Sequence, residues 1–139
     1  MPDLIHLAIA IAVISPAGGA LTIGLLAIGR DPRPGERTTT AIVETSLVLS
    51  LLGAFGVALR WAGVGGAPFR GEAEFGDWLT LGSYHIPAVT LVDLPALALG
   101  LLGGVLTLLV ARFSRTYLHK DPGFLRFFAL LAMFASGVQ

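Results

Sequence analysis

Residues Leu91–Gln139 read LVDLPALALGLLGGVLTLLVARFSRTYLHKDPGFLRFFALLAMFASGVQ. A lone acid, Asp93, stands at the entrance to an uncharged apolar run from Leu94 to Ala111. Asp93-Leu94-Pro95 is a helix start: an oxygen-bearing cap, then a proline in the first turn, where its missing N–H would have had no helical partner. Arg112, Arg115, Lys120 and Arg126 frame a turn over Tyr117–Gly123, and a further apolar run of 13 residues opens at Phe127. An apolar helix, a basic turn and a second apolar helix make a membrane hairpin. The residues upstream are expected to be scaffold of the same kind.

Composition agrees. Of 139 residues, 55% are hydrophobic and 13% charged, with a mean hydropathy of +0.82, whereas soluble domains carry about 25% charge. A soluble helical bundle would alternate apolar and polar faces, but whole runs here are apolar all round, which points to lipid as the solvent. With no cysteine, the chain offers no disulfide, thiol nucleophile or thiolate metal site. Net charge is zero, and nucleic acid is not an expected partner.

Upstream, Leu4–Gly29 is a 26-residue apolar run with one ionisable group, His6. At 1.5 Å per residue it can cross a hydrocarbon core of about 30 Å with some tilt. A cleaved signal peptide is the competing reading, but Met1-Pro2-Asp3 lacks positive charge and the apolar stretch is too long. Pro16 removes one intrahelical hydrogen bond and is expected to kink the helix near its middle. RDPRPGER (Arg30–Arg37) breaks the chain. Ala41–Leu59 is the next apolar run, with Thr38, Thr39 and Thr40 as possible N-terminal caps. Its one charge, Glu44, lies about one turn inside, where an ionisable group is a functional candidate. The plainer alternative sets Glu44 at the interface, hydrated or paired with an arginine.

Arg60–Val92 differs in kind, with six glycines, both tryptophans and the acids Glu72, Glu74 and Asp77. Trp78–Leu81 and Tyr84–Val89 flank Gly82-Ser83, which predicts a small β-hairpin on a glycine turn, with Pro87 confining its strand to an edge. Trp61 and Trp78 suit the membrane surface. His85 has no second ligand at a useful spacing and reads as a surface histidine. Gly100 and Gly104, and similarly Gly53 and Gly56, let neighbouring helices approach closely.

The expected architecture is a single all-α integral membrane domain over residues 1–139. It has three transmembrane helices (about 4–29, 39–60 and 93–112), a partial fourth (124–139), and a small extracytoplasmic β-hairpin within 61–92. The two short basic turns should both be cytoplasmic, which places the hairpin and the N-terminus outside a cytoplasmic (inner) membrane. No nucleophile–base set, phosphate loop, dinucleotide fingerprint or metal cluster is present, so no catalytic residue is assigned and no cofactor is expected. Glu44 and Asp93 are the candidate proton-path residues, yet they fall near opposite faces, and two interfacial acids make no proton wire.

The order LVD–LPALAL, FSRTYL, an Asp-Pro-Gly turn and LRFFALLAMFASG resembles the N-terminal part of the antiporter-like subunits of respiratory complex I, subunit L above all. It is also similar to the large subunits of multisubunit Na⁺/H⁺ antiporters and to membrane subunits of two-component inorganic-carbon uptake systems. The resemblance is specific over Leu91–Gly137 and looser over the rest, where two preceding helices and an external hairpin also fit. It implies a subunit of a membrane complex that moves protons or sodium ions, with other membrane subunits as partners. Asp93, Arg115, Tyr117, Arg126 and Phe127 match the family's N-terminal signature, and the resemblance implies that they position the third and fourth helices. In that family the ion path depends on a glutamate in the fifth helix and on lysines beyond it, and no residue here is assigned those roles.

The function expected is therefore that of an N-terminal fragment or split subunit of such a translocase. The alternative is a small accessory membrane protein without transport activity. An independent channel would need a complete fourth helix and a polar pore stripe. The short fourth run also leaves the last backbone carbonyls, Ser136 to Gln139, in need of partners inside hydrocarbon.

Overall fold

The computed structural model describes residues 2–29, 34–69 and 71–139. In chain order they form α1 (Pro2–Gly29), α2 (Glu36–Trp61), β1 (Gly71–Leu81), β2 (Tyr84–Val92), α3 (Leu94–Tyr117) and α4 (Phe124–Val138). Helices α1, α2 and α3 are long and apolar enough to cross a membrane. Helix α4 has 15 residues, about 22 Å of helix. α1 packs on α2 and α2 on α3, and α4 contacts all three. The shortest helix is thus the one that ties the bundle together.

Three boundaries differ from those expected. Helix α2 begins at Glu36, with Gly35 as an N-cap that makes no side-chain hydrogen bond. The Thr38–Thr40 run therefore caps nothing: Thr39 and Thr40 are buried within the helix, and the Thr40 hydroxyl donates back to the Glu36 carbonyl at 2.9 Å. Pro34-Gly35 stops the helix from extending backward, and an acid in the first turn suits the helix dipole. Helix α3 runs on through Arg112 to Tyr117 instead of ending near Arg112. Nothing in RFSRTY breaks a helix, and Arg115 suits the negative end of the dipole. The hairpin is longer than its most strand-like residues suggested, pairing from Gly71↔Val92 to Leu81↔Tyr84 with shifts around Asp77. The expected turn forms at Gly82-Ser83, with φ 62° at Gly82, as glycine in the first central position of a two-residue hairpin turn allows. Of the first basic turn, Arg30 and Arg33 lie outside the described residues, as does Arg70.

The outer surface is apolar. Leu7, Ile14, Leu21, Leu25 and Ile28 of α1, and Leu99, Leu102, Leu106 and Leu109 of α3, are all exposed. The interior instead combines small residues, hydroxyls and two apolar clusters. One lies toward the basic turn, where Ile23, Val43, Leu47, Ala111, Phe124, Phe128 and Ala132 bring all four helices together. The other lies beneath the hairpin, where Ala73 and Val92 close over Ile5, Ile9 and Val57. There the ring of His6 also meets that of Phe75 edge-on, 5.2 Å between centroids.

Between the clusters, the break introduced by Pro16 is repaired from outside its own helix. Without an N–H, Pro16 cannot serve the carbonyl four residues before it, Ala12. The hydroxyl of Ser50 on α2 donates to that carbonyl at 2.6 Å. Ser136 on α4 donates to the next carbonyl, Val13, at 2.8 Å, and Ser15 reaches back to Ser46 on α2 at 3.1 Å. A proline-freed carbonyl in an apolar interior is costly unless a neighbouring hydroxyl meets it. Replacing Ser50 by alanine is expected to lower unfolding stability in detergent by about 1–3 kcal/mol, because the Ala12 carbonyl stays buried without a donor. Ser15→Ala should cost less, because that hydroxyl mainly bonds its own helix at Ile11. Equal losses would remove the Pro16 explanation.

Candidate functional site

The candidate residues fall at the two ends of the bundle. At the hairpin end, Asp93 has extended backbone geometry and its Oδ1 accepts from the Ala96 N–H at 2.8 Å, with Pro95 in the first turn. It is the N-cap of α3, as the Asp-Leu-Pro pattern requires. The cap joins β2 to α3 without a linker, so it sets the angle between hairpin and helix. Asp93→Ala should destabilise the chain by about 1 kcal/mol, while Asp93→Asn should cost only a few tenths, both read from denaturant midpoints. A loss in Asn as large as in Ala would mean that the negative charge, not the cap, is what matters.

At the basic end Glu44 lies on α2 facing α3, its side chain 18% exposed, between Arg112 (Nε to Oε2, 4.0 Å) and Arg115 (Nη1 to Oε1, 3.8 Å). Both separations are too long for hydrogen bonds, and Oε1 is buried without a donor. What holds α2 and α3 together here is charge attraction shared over two guanidinium groups. Arg115 is thus the signature residue that reaches across to another helix. Tyr117 and Arg126 are exposed, and Phe127 sits edge-on to Phe128 with centroids 5.5 Å apart. Glu44 and Asp93 stand at opposite ends of the bundle and do not meet. His85 is a surface residue of the hairpin, 3.2 Å from Asp77 on the opposite strand.

A further contact at the basic end links residues far apart in sequence. The Glu36 carboxylate accepts the backbone N–H of Lys120 at 2.6 Å through Oε1, and its Oε2 lies 2.7 Å from His119 Nδ1. Lys120 has φ 65°, the one positive value outside glycine among the described residues. That conformation is uncommon for a side-chain-bearing residue, and Glu36 is the partner that takes up its N–H. The clasp fastens the start of α2 to the turn between α3 and α4. Sequence reasoning missed it because its partners are 83 and 84 positions apart. The available signal was topological: an acid in one short basic turn faces the donors of the other.

Comparison with known proteins adds to this geometry. Residues 78–128 match the family model described as NADH-Ubiquinone oxidoreductase (complex I), chain 5 N-terminus. The chain resembles the N-terminal region of an antiporter-like complex I subunit. That match contains Asp93, Arg115, Tyr117, Arg126 and Phe127, and so spans β2, α3 and the start of α4. NAD(P)H-quinone oxidoreductase chain 5 of Synechocystis sp. is 33% identical over 129 residues, covering 90% of this chain and 18% of that protein. The protein of the same name from Picosynechococcus sp. is 29% identical over 132 residues, with the same coverage. The chain therefore spans about a fifth of the length of these curated relatives.

Proposed function

We propose that residues 1–139 serve as the N-terminal membrane scaffold of a proton-translocating, antiporter-like subunit in a respiratory-type complex. The observation that carries this is the match over 78–128. It covers the cap, the α3 helix and the basic turn as one ordered unit, and positive-inside charge alone would not require that order. In this reading the described residues hold helices and do not conduct. Their buried polar side chains are the hydroxyls of Thr39, Thr40, Ser46, Ser50 and Thr107, and among the described residues no buried titratable group joins Glu44 to Asp93. Those two acids act here as positioning residues, Glu44 through Arg112 and Arg115 and Asp93 through the α3 cap. The ion path runs through other membrane helices of the complex.

The basic ends, carrying Arg37, Arg112, Arg115, Lys120 and Arg126, face the cytoplasm, and the hairpin faces outward from the inner membrane. Affinity purification of the tagged chain from native membranes tests the assignment. Other antiporter-like subunits should co-purify, whereas a lone monomer or homodimer would favour an accessory protein. Ion flux through vesicles holding only the purified chain, abolished by Glu44→Gln, would overturn the scaffold reading.

A further inference from the structure

The outer face of α3 carries a feature that the scaffold role uses only in part, through Arg112. Leu109, Arg112, Phe113, Thr116 and Tyr117 border a shallow groove, open to the surroundings, along one face of α3. The Arg112 side chain is 70% exposed and its Nε lies 4.0 Å from Glu44, so most of the side chain is left open to the surroundings of the helix. Phe113 and Tyr117 are 77% and 81% exposed. Arg112 and Thr116 are four residues apart and share a side of the helix, while Leu102, Leu106, Leu109 and Phe113 form an adjoining apolar stripe. From Leu94 to Arg112 the helix rises about 27 Å. If Leu94 enters one edge of a hydrocarbon core of about 30 Å, Arg112 stands at the other edge, at the depth of lipid phosphates.

Charge selects the occupant. Among the described residues at this end, Arg37, Arg112, Arg115, Lys120 and Arg126 outnumber Glu36, Glu44 and Asp121. The Glu36 oxygens are already engaged by His119 and Lys120. A free phosphate would gain nothing from Leu109 and Phe113, whereas a phospholipid meets both halves of the groove.

We propose that this groove binds an anionic phospholipid, its phosphate on Arg112 and Thr116 and an acyl chain along Phe113, Leu109, Leu106 and Leu102. The inference needs α3 in a bilayer with this face toward lipid, and it is independent of whether the chain conducts ions.

Native mass spectrometry of the full 139-residue chain in neutral detergent tests it, with phosphatidylglycerol and phosphatidylcholine of matched acyl chains as probes. Phosphatidylglycerol should bind at about five-fold lower concentration, the effect of one basic group beside an anionic headgroup. Arg112→Gln and Thr116→Asp should each bring the two lipids to parity, and Arg126→Gln should leave the preference in place. Thr116 is exposed, so its variant reports on the groove even if Arg112→Gln disturbs the α2–α3 contact. Soluble glycerol phosphate should not compete. A wild-type chain without preference, a preference surviving both groove variants, or an equal loss in Arg126→Gln would overturn the proposal.

Discussion

Truncating Phe128 to alanine is expected to cost the bundle about 3–5 kcal/mol. Phe128 is the largest fully buried side chain among the described residues, and it lies in the cluster where all four helices meet. Its ring lies 4.6 Å from that of Phe124 and 5.5 Å from that of Phe127. In lipid the gain from leaving water is largely absent, because the ring is as well solvated by acyl chains as by protein. What remains is dispersion and shape: a ring removed from between Ile23, Val43, Leu47 and Ala111 leaves a void that helices pinned by the Glu36 clasp cannot close. The measurement is the unfolding midpoint in mixed micelles, with Phe134→Ala as the control. Phe134 is 63% exposed on the same helix, and its loss should fall within about 0.5 kcal/mol of zero. Equal effects would show that α4 is not held by the packing described.

The second large effect is expected from one added methyl group. A Cβ on Gly53 would lie 2.6 Å from the Ala12 nitrogen and 2.6 Å from the Ala8 carbonyl oxygen. These are backbone atoms of α1, so no rotamer change relieves the contact and the two helices must separate. Separation would also stretch the Ser50–Ala12 hydrogen bond, one turn away, that repairs the Pro16 break. Gly53→Ala should therefore destabilise the bundle by about 2–3 kcal/mol. Gly56→Ala is the matched control, because its Cβ would meet only the Ala8 methyl at 3.6 Å, an ordinary contact. That change should be neutral or slightly stabilising, since alanine favours helix over glycine. If the two variants behave alike, the close approach of α1 and α2 at Gly53 is wrong.

This pair shows where sequence reading runs out. Gly53 and Gly56 look equivalent as small residues in an apolar run, as do Gly100 and Gly104. Only the bundle separates them. Gly53 meets backbone and Gly56 does not, while Gly100 and Gly104 face the Gln139 side chain, with Leu51 of α2 also against Gly104. Spacing says that close approach is possible; which glycine is used depends on how the facing helix is rotated. The end of the fourth run shows the same division. There the Ser136 hydroxyl donates to the Val13 carbonyl and the Gln139 side-chain amide to the Gly100 carbonyl at 3.2 Å. Those partners sit more than a hundred and nearly forty residues away, so no local pattern announces them.

Features governed by local chemistry and by solvent were legible in the residues alone. Apolar runs of sufficient length made the helices, Asp93-Leu94-Pro95 set the start of α3, and Gly82-Ser83 set the hairpin turn. Each depends on residues within a few positions of one another, or on the free energy of a segment against its surroundings. The LVD–FSRTYL–LRFFALL order likewise carried the family resemblance. The remaining contacts arise only once the helices pack: Glu44 between Arg112 and Arg115, Glu36 on His119 and Lys120, and Ser50 on the carbonyl that Pro16 leaves free. Each joins groups from different helices at a separation of a few ångströms. Such distances follow from helix rotation and approach, which the hydropathy of a run that is apolar all round does not specify.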